Sequence, residues 1–288
     1  MNKLGGVPVG RNNPVRVMGI LNTSPESFFK KSIKTSKRHI SDAVKEMESN
    51  GADFVDIGGM STAPYILNMI SERTESDRVQ DAIKVVQNVS NIPISVDTCR
   101  ASVAKMALEN GVEIINDISG LKYDPKMIDI IGRHTPSVIL CAFDSKTVTG
   151  NQITATKKLL HQSLSLAKKA NIPSSRIVLD PAIGFFRRSG KGSFFTKITT
   201  DWLERDLLIL QNLRSIKQES PILVSVSNKS FIGKLLGKEN PSDRLFGSIA
   251  AEVFSVIHGA DIIRTHNVSQ TMDAVKIASR LSKSPKRL

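Results

Sequence analysis

At 288 residues the chain is long enough to bury a full core, and 40% hydrophobic with 23% charged residues is the balance of a globular protein rather than a disordered or fibrous one. No apolar run is long enough to span a bilayer, the opening MNKLGGVPVGRNNP has no apolar leader core, and two cysteines, Cys99 and Cys141, make no disulfide framework; together these predict a cytoplasmic protein without a membrane partner. The formal charge of +13 comes without zinc-finger spacing, a basic zipper or an RNA-binding aromatic motif, and aromatics at 5% leave few stacking platforms, so nucleic acid is not a predicted partner.

In chain order, a first strand runs from Arg16 to Leu21 and enters Asn22-Thr23-Ser24-Pro25. A polar, basic loop from Glu26 to Lys37 follows, expected to be mobile, and then a helix from about Ser41 to Asn50. Strand two, Phe54 to Ile57, carries Asp56 within it and stops at Gly58-Gly59-Met60-Ser61-Thr62. A loop from Ala63 to Met69 precedes a helix from about Ser71 to Ser90.

Ile92 to Leu121 holds the pattern in its clearest form. Ile94-Ser95-Val96 is a short apolar strand that ends on Asp97; a helix closes at Asn110-Gly111; a second apolar strand, Glu113-Ile114-Ile115, ends on Asn116-Asp117. Strands apolar along their length and polar at the carboxyl end suit a parallel sheet covered on both faces. Asp124-Pro125 predicts the next N-cap, with a helix to about Arg133. Strand five is Val138 to Cys141, followed by a helix of about Thr154 to Ala170. Strand six, Ile177 to Leu179, ends on Asp180-Pro181, and a helix covers about Asp201 to Ile216. Strand seven, Ile222 to Val226, ends on Ser227-Asn228-Lys229. Asn240-Pro241 opens a helix to His258-Gly259. Strand eight, Ile262 to Ile263, ends on Arg264-Thr265-His266, and a last helix runs from about Gln270 to Leu281.

Eight strand–helix units without a linker predict one (β/α)8 barrel over residues 1–288, with a basic tail at 283–288. A doubly wound sheet is the alternative, but no Gly-rich dinucleotide turn follows the first strand. On a barrel the strand tips converge on one mouth, bringing together Asn22, Thr62, Asp97, Asn116, Asp180, Lys229, Arg264 and His266. Each alone has a plain structural use as a cap, turn residue or surface charge. As a set, two carboxylates and an asparagine beside a lysine can bind the edge of a flat, nitrogen-rich heterocycle. Arg264, His266 and Asn22 can bind a phosphate group or its magnesium ion. No zinc spacing and no nucleophile motif is present.

The motifs VMGILNTSPESF, GADFVDIGGMSTAP, ISVDTCRA, IINDISG, LDPAIGF, VSVSNKSFIG and GADIIRTHNV resemble, in order, those of the dihydropteroate synthases, from about Val17 to Ile277. The resemblance implies a (β/α)8 barrel that condenses 6-hydroxymethyl-7,8-dihydropterin diphosphate with p-aminobenzoate or a related arylamine and releases diphosphate. It implies Asp97, Asn116, Asp180, Phe185 and Lys229 around the pterin, and Asn22, Thr62, Arg264 and His266 around diphosphate and Mg2+. Lys229, Asp97 and Arg264 would be the catalytic set, and the protein a homodimer formed through its last helices.

Departures from the family pattern gather around the arylamine. The first loop has Glu26 and Lys30-Lys31 where the pattern is acidic, Ala63 and Asn228 stand for arginines, and Cys141-Ala142-Phe143 replaces Met-His-Met. A basic loop, Phe186 to Lys197, is enlarged. Its Arg187, Arg188, Lys191 and Lys197, with Gly190 and Gly192, suggest an acceptor site for an acidic or phosphorylated arylamine. Two other functions remain open on sequence: a pterin-binding methyltransferase domain, which has no need of a diphosphate grip, and an inactive basic module, for instance for RNA.

Overall fold

The computed structural model describes residues 1–25, 34, 36–64 and 69–282. Residues 26–33 and 35 of the loop expected to be mobile, residues 65–68 of the second loop, and the 283–288 tail lie outside the described residues. Eight parallel strands form the barrel: β3 (Arg16–Asn22), β4 (Phe54–Gly58), β5 (Ile94–Asp97), β6 (Ile114–Asp117), β7 (Ser137–Cys141), β8 (Ile177–Asp180), β11 (Leu223–Val224) and β12 (Ile262–Thr265). Hydrogen bonding runs β11-β12-β3-β4-β5-β6-β7-β8. The ring closes where Leu179 bridges Ile222 and its N–H donates to the Pro221 carbonyl at 2.9 Å.

Alternation along each strand decides what faces the axis. Val17, Val55, Ile57, Val96, Ile115, Leu140, Leu179 and Ile263 are buried outward, against the helices. Met18, Phe54, Ile114, Ile139, Val178, Leu223 and Ile262 form a separate apolar cluster inside the barrel. One pleat further along, the inward positions turn polar: Asp56, Ser95, Asn116, Asp180 and Arg264. The lower barrel is therefore a dry plug, and the upper barrel is a polar well. The covering helices are α1 (Lys37–Ser49), α2 (Glu72–Val89), α3 (Ala101–Glu109), α4 (Met127–His134), α5 (Gln152–Lys169), α6 (Trp202–Gln211), α7 (Leu213–Ile216), α8 (Ser230–Leu236), α9 (Leu245–Ile257) and α10 (Val268–Ser282). Side-chain caps begin several of them: Ser36, Ser71, Asn151 and Asp201 each accept from a backbone N–H two or three residues on.

Several elements differ from the sequence reading. Asp124 serves two segments: its Oδ1 accepts from the Lys126 N–H at 3.0 Å, just ahead of α4, and its Oδ2 accepts from the Ala101 N–H at 2.8 Å at the start of α3. The helix expected over Asp201 to Ile216 breaks at Asn212 into α6 and α7. Asn240-Pro241 opens a 3₁₀ turn, Pro241–Asp243, ahead of α9, and α8 precedes it. A short loop between Phe186 and Lys197 is pinned by two parallel two-residue strands, β9 (Phe186–Arg187) and β10 (Thr196–Lys197).

An N-terminal hairpin, β1 (Lys3–Leu4) and β2 (Val7–Pro8), was not legible because two-residue strands carry no periodicity. Its turn is Gly5-Gly6, both at positive φ, and it presses Leu4 and Val9 onto the interior cluster at the base of the barrel. The Gly5 N–H donates to Ser137 Oγ at 3.1 Å, tying the hairpin to β7. Leu4 has no exposed surface. Leu4→Ala should therefore cost about 2–5 kcal/mol, the range for truncating a fully buried leucine. Urea denaturation measures it; a loss below about 1 kcal/mol would show that the hairpin is not part of the core.

Candidate active site

The polar well opens into a cleft of about 760 Å³, counting its open mouth. Asn22, Thr62, Asp97, Lys229, Arg264 and His266 all line it, so six of the residues singled out at strand tips share one cavity, and Phe185 joins them. Asn116 and Asp180 are buried just below its surface.

The floor is one ion-pair network. Arg264 on β12 donates from Nε to Asp56 Oδ2 at 2.6 Å and from Nη2 to Asp97 Oδ2 at 2.8 Å. Asn116 Nδ2 donates to the same Asp56 oxygen at 3.1 Å. Asp56 has no exposed surface, and its Oδ1 is buried without a hydrogen-bond partner. Such an oxygen is tolerated because Arg264 offsets the carboxylate charge directly. Sequence reasoning did not assign Asp56 a role. Its signal was parity: Asp56 shares the inward phase of Phe54 and Gly58, so on a barrel strand it had to point at the axis.

Sequence reasoning placed Arg264 with the diphosphate. Two of its donors are held by the carboxylates of Asp56 and Asp97, so it ties β12 to β4 and β5 at the floor of the cleft. Across the cavity Lys229, the residue that precedes α8, sets its Nζ 4.0 Å from the centre of the Phe185 ring. Gly184 makes this possible: its φ is +87°, and a Cβ there would lie 2.9 Å from Lys229 Cδ. Asp180 is held by the Ala182 N–H at 2.7 Å.

Burial and neighbouring charge reset the titration of the site. Burial pushes the Asp97 carboxyl up to about 7, with Arg264 pulling it back and Asp56 adding to the rise. Burial, with the nearby Arg264 charge, brings Lys229 down to about 8, against the attraction of Asp180. Burial and the cations Arg264 and Lys229 drive His266 down to about 3. His266 is therefore neutral at physiological pH, and its Nδ1 lies 3.1 Å from Ser227 Oγ. It can offer an anion a hydrogen bond but not a charge.

At the rim, Asn22 Oδ1 accepts from the Ser24 N–H at 3.0 Å. Ala63 lines the cleft where the family pattern has an arginine. Asn228, the other replacement, is buried away from it: its N–H donates to Ser248 Oγ at 2.9 Å and its carbonyl accepts from Arg244 Nη1 at 2.9 Å. Its φ is +58°, a conformation asparagine tolerates better than most side chains. The glycines of the enlarged basic loop pack against loop two. The N–H groups of Lys191 and Gly192 donate to the Pro64 carbonyl at 2.8 and 3.3 Å, and a Cβ on Gly190 would meet that same oxygen at 2.7 Å. The loop thus docks on loop two beside the cleft, and Arg187, expected at the mouth, is buried instead.

A barrel whose mouth combines carboxylates for a donor-rich ring edge with cations for an anion has the makings of a heterocycle-binding transferase. The family model for pterin binding enzymes matches residues 18–266, and the chain belongs to that family. It is 34% identical over 281 residues to a dihydropteroate synthase of Clostridium beijerinckii, covering 96% of this chain and 97% of that one. To a Synechocystis dihydropteroate synthase it is 33% identical over 273 residues, covering 92% and 89%. A dihydropteroate synthase of Coxiella burnetii, solved in complex with pteroic acid, superposes with a TM-score of 0.82 at 33% identity, covering 95% of each chain. A Yersinia pestis relative, solved with a sulfonamide drug, gives 0.82 at 27% identity and 97% coverage of each.

The depressed histidine gives a testable stability profile. In the unfolded chain His266 takes up its proton near 6.5, whereas in the folded protein it does so only near 3. Between these values the unfolded state holds more protons, so the contribution present above about pH 6.5 is lost as pH falls. Replacing His266 by Asn should flatten the loss of unfolding free energy between pH 7 and pH 4, read by urea titration at each pH. An unchanged slope would mean that His266 is already protonated in the folded protein.

Proposed function

We propose that the chain catalyses the condensation of 6-hydroxymethyl-7,8-dihydropterin diphosphate with p-aminobenzoate or a related arylamine, releasing diphosphate, as a transferase of folate-type pterin biosynthesis. The observation that carries this reading is the meeting of Asp97, Arg264 and Lys229 in one cleft of a family whose solved relatives include complexes with pteroic acid and a sulfonamide drug. A dihydropterin presents N–H donors on one edge and carbonyl and ring-nitrogen acceptors on another. Asp97 and Asp180, with Asn116, supply acceptors and an amide; Lys229 supplies the donor; the Phe185 ring flanks the lysine.

In the reaction the C–O bond between the methylene and the diphosphate breaks, and the diphosphate leaves with the electron pair. The dihydropterin ring delocalises the positive charge left on the methylene, and the carboxylates that hold its N–H groups favour that charge. Arg264 and the neutral His266 offer hydrogen bonds to the departing oxygens, a preorganised effect worth typically ~3 kcal/mol per donor. The amine nitrogen then forms the C–N bond and releases its proton to solvent. Nothing in this sequence needs a covalent enzyme intermediate.

Magnesium fits as an ion carried with the substrate. Among the described residues no group of three His, Cys, Asp or Glu side chains could cage a metal. Asn22 Oδ1 is an uncharged oxygen at the rim, suited to Mg2+ that takes most of its ligands from phosphate and water. Bound there, the ion would neutralise diphosphate charge.

The chain contains no helix long and apolar enough to cross a membrane among its described residues, and we place its activity in the cytoplasm. The homodimer would form on the groove between α6, α8 and α9, where Leu235, Leu236 and Phe254 stay open to solvent next to Phe231 and Leu207. A methyltransferase role is less favoured, since Arg264, Asn22 and His266 equip the cleft for an anion that a methyl donor lacks.

The test is an assay of purified protein with the dihydropterin diphosphate, Mg2+ and a panel of arylamines. Diphosphate should appear in step with the pteroate product. Asp97→Asn should weaken dihydropterin diphosphate binding by about 1.5–3 kcal/mol, the cost of losing a charged hydrogen-bond partner, while stability changes by no more than about 1–2 kcal/mol. A parent protein that releases no diphosphate with any arylamine would overturn the reading.

A further inference from the structure

A buried charge cluster lies behind the cleft, and the chemistry above leaves it without a part. Asp206 on α6 has no exposed surface. Its Oδ2 accepts from the Gly184 N–H at 3.0 Å and lies 3.6 Å from Arg187 Nη1; its Oδ1 accepts from Arg205 Nη1 at 3.1 Å. Arg205, also fully buried, donates from Nη2 to the Pro181 carbonyl at 2.8 Å and from Nη1 to the Ala182 carbonyl at 3.3 Å, and its guanidinium sits 3.6 Å over the Phe186 ring. Arg187 donates from Nη2 to Ser230 Oγ at 2.6 Å and lies 4.2 Å over the ring of Trp202.

These contacts reach two different walls of the cleft. Through Arg205 and the Gly184 N–H, Asp206 holds the turn from Pro181 to Gly184, which carries Phe185. Through Arg187 and Ser230, it holds the first residue of α8, next to Lys229. Phe185 and Lys229 are the two residues that meet across the cavity at 4.0 Å. A fully buried carboxylate between two arginines is costly to desolvate and is retained when its geometry is satisfied on every side. We propose that Asp206, with Arg187 and Arg205, is the positioning hub that fixes Lys229 against Phe185 and sets the charge state in which that lysine meets its ligand. The assignment of a ligand to Lys229 rests on the pterin reading; the positioning of Lys229 does not.

The test reads Lys229 directly. Protein labelled with 13C at the lysine Cε is titrated from pH 6 to 11, and the Lys229 signal is assigned by its loss in Lys229→Arg. In the parent the midpoint should fall near 8. Arg187→Met removes a neighbouring cation and should move the midpoint up, by roughly half a unit or more; Asp206→Asn removes an attracting carboxylate and should move it down by a similar amount. Arg187→Lys should restore most of the parent value. Opposite signs are the signature, since general loosening of the site would drive both variants toward the free-lysine value.

Trp202, the single tryptophan, provides a second readout under Arg187. Saturation with the dihydropterin diphosphate should change its emission in the parent and leave it unchanged in Arg187→Met. If Asp206→Asn fails to fold, the rise in Arg187→Met together with its reversal in Arg187→Lys decides, since general loosening would not be reversed by restoring one cation. Midpoints that stay in place, or that move in the same direction in both variants, overturn the proposal. Midpoints that move as expected in a protein that binds no pterin would uphold the hub and reject the pterin reading.

Discussion

The pairing of Arg264 with Asp56 and Asp97 is the constraint on which the upper barrel depends. Two inward carboxylates on neighbouring strands, above an apolar plug, repel each other unless a cation lies between them. One arginine, reaching across β3 from β12, engages both at 2.6 and 2.8 Å. Arginine suits this position because its planar fork can serve two oxygens at once and cannot be deprotonated; lysine would offer one point charge. The pair of carboxylates raises the guanidinium's hold on its proton, although burial opposes it. Everything else in the cleft titrates in that field: Lys229 and His266 are lowered in part by it, and Asp97 is held back by it.

The same constraint explains why the site sits at this depth. Below Asp56 the interior is filled by Phe54, Met18 and their neighbours and closed by the N-terminal hairpin, so no water reaches the carboxylates from beneath. Above them the strands end and the loops begin. A ligand entering from the mouth meets a fixed charge pattern on rigid strand ends, the arrangement in which electrostatic preorganisation has most effect. The loops above, by contrast, carry most departures from the family pattern, at Ala63 and in the 186–197 segment.

Much of this was readable in the sequence, for a physical reason. A parallel strand covered on both faces is apolar until the point where it meets the mouth, so Asp97, Asn116, Asp180 and Arg264 announced themselves as polar ends of apolar runs. Asp56 did not, because it lies inside its run and only the two-residue alternation marks it as inward. Arg187 misled in the opposite direction: within a basic stretch it reads as a charge open to the mouth, yet a carboxylate nineteen residues on, Asp206, draws it into the protein. Such long-range partners leave no local trace. The hairpin at Leu4 was equally silent, since two residues per strand are too few for any period to appear.

The central claim is that Asp56 and Arg264 act on the pterin ligand as one unit. A double-mutant cycle in calorimetric binding of 6-hydroxymethyl-7,8-dihydropterin diphosphate tests it, using Asp56→Asn, Arg264→Met and the double variant. If the two residues form one electrostatic floor, the losses will fall short of additive by about 1 kcal/mol or more, because either change alone already breaks the unit. Losses that add to within about 0.5 kcal/mol would show that the residues act independently and would contradict the account.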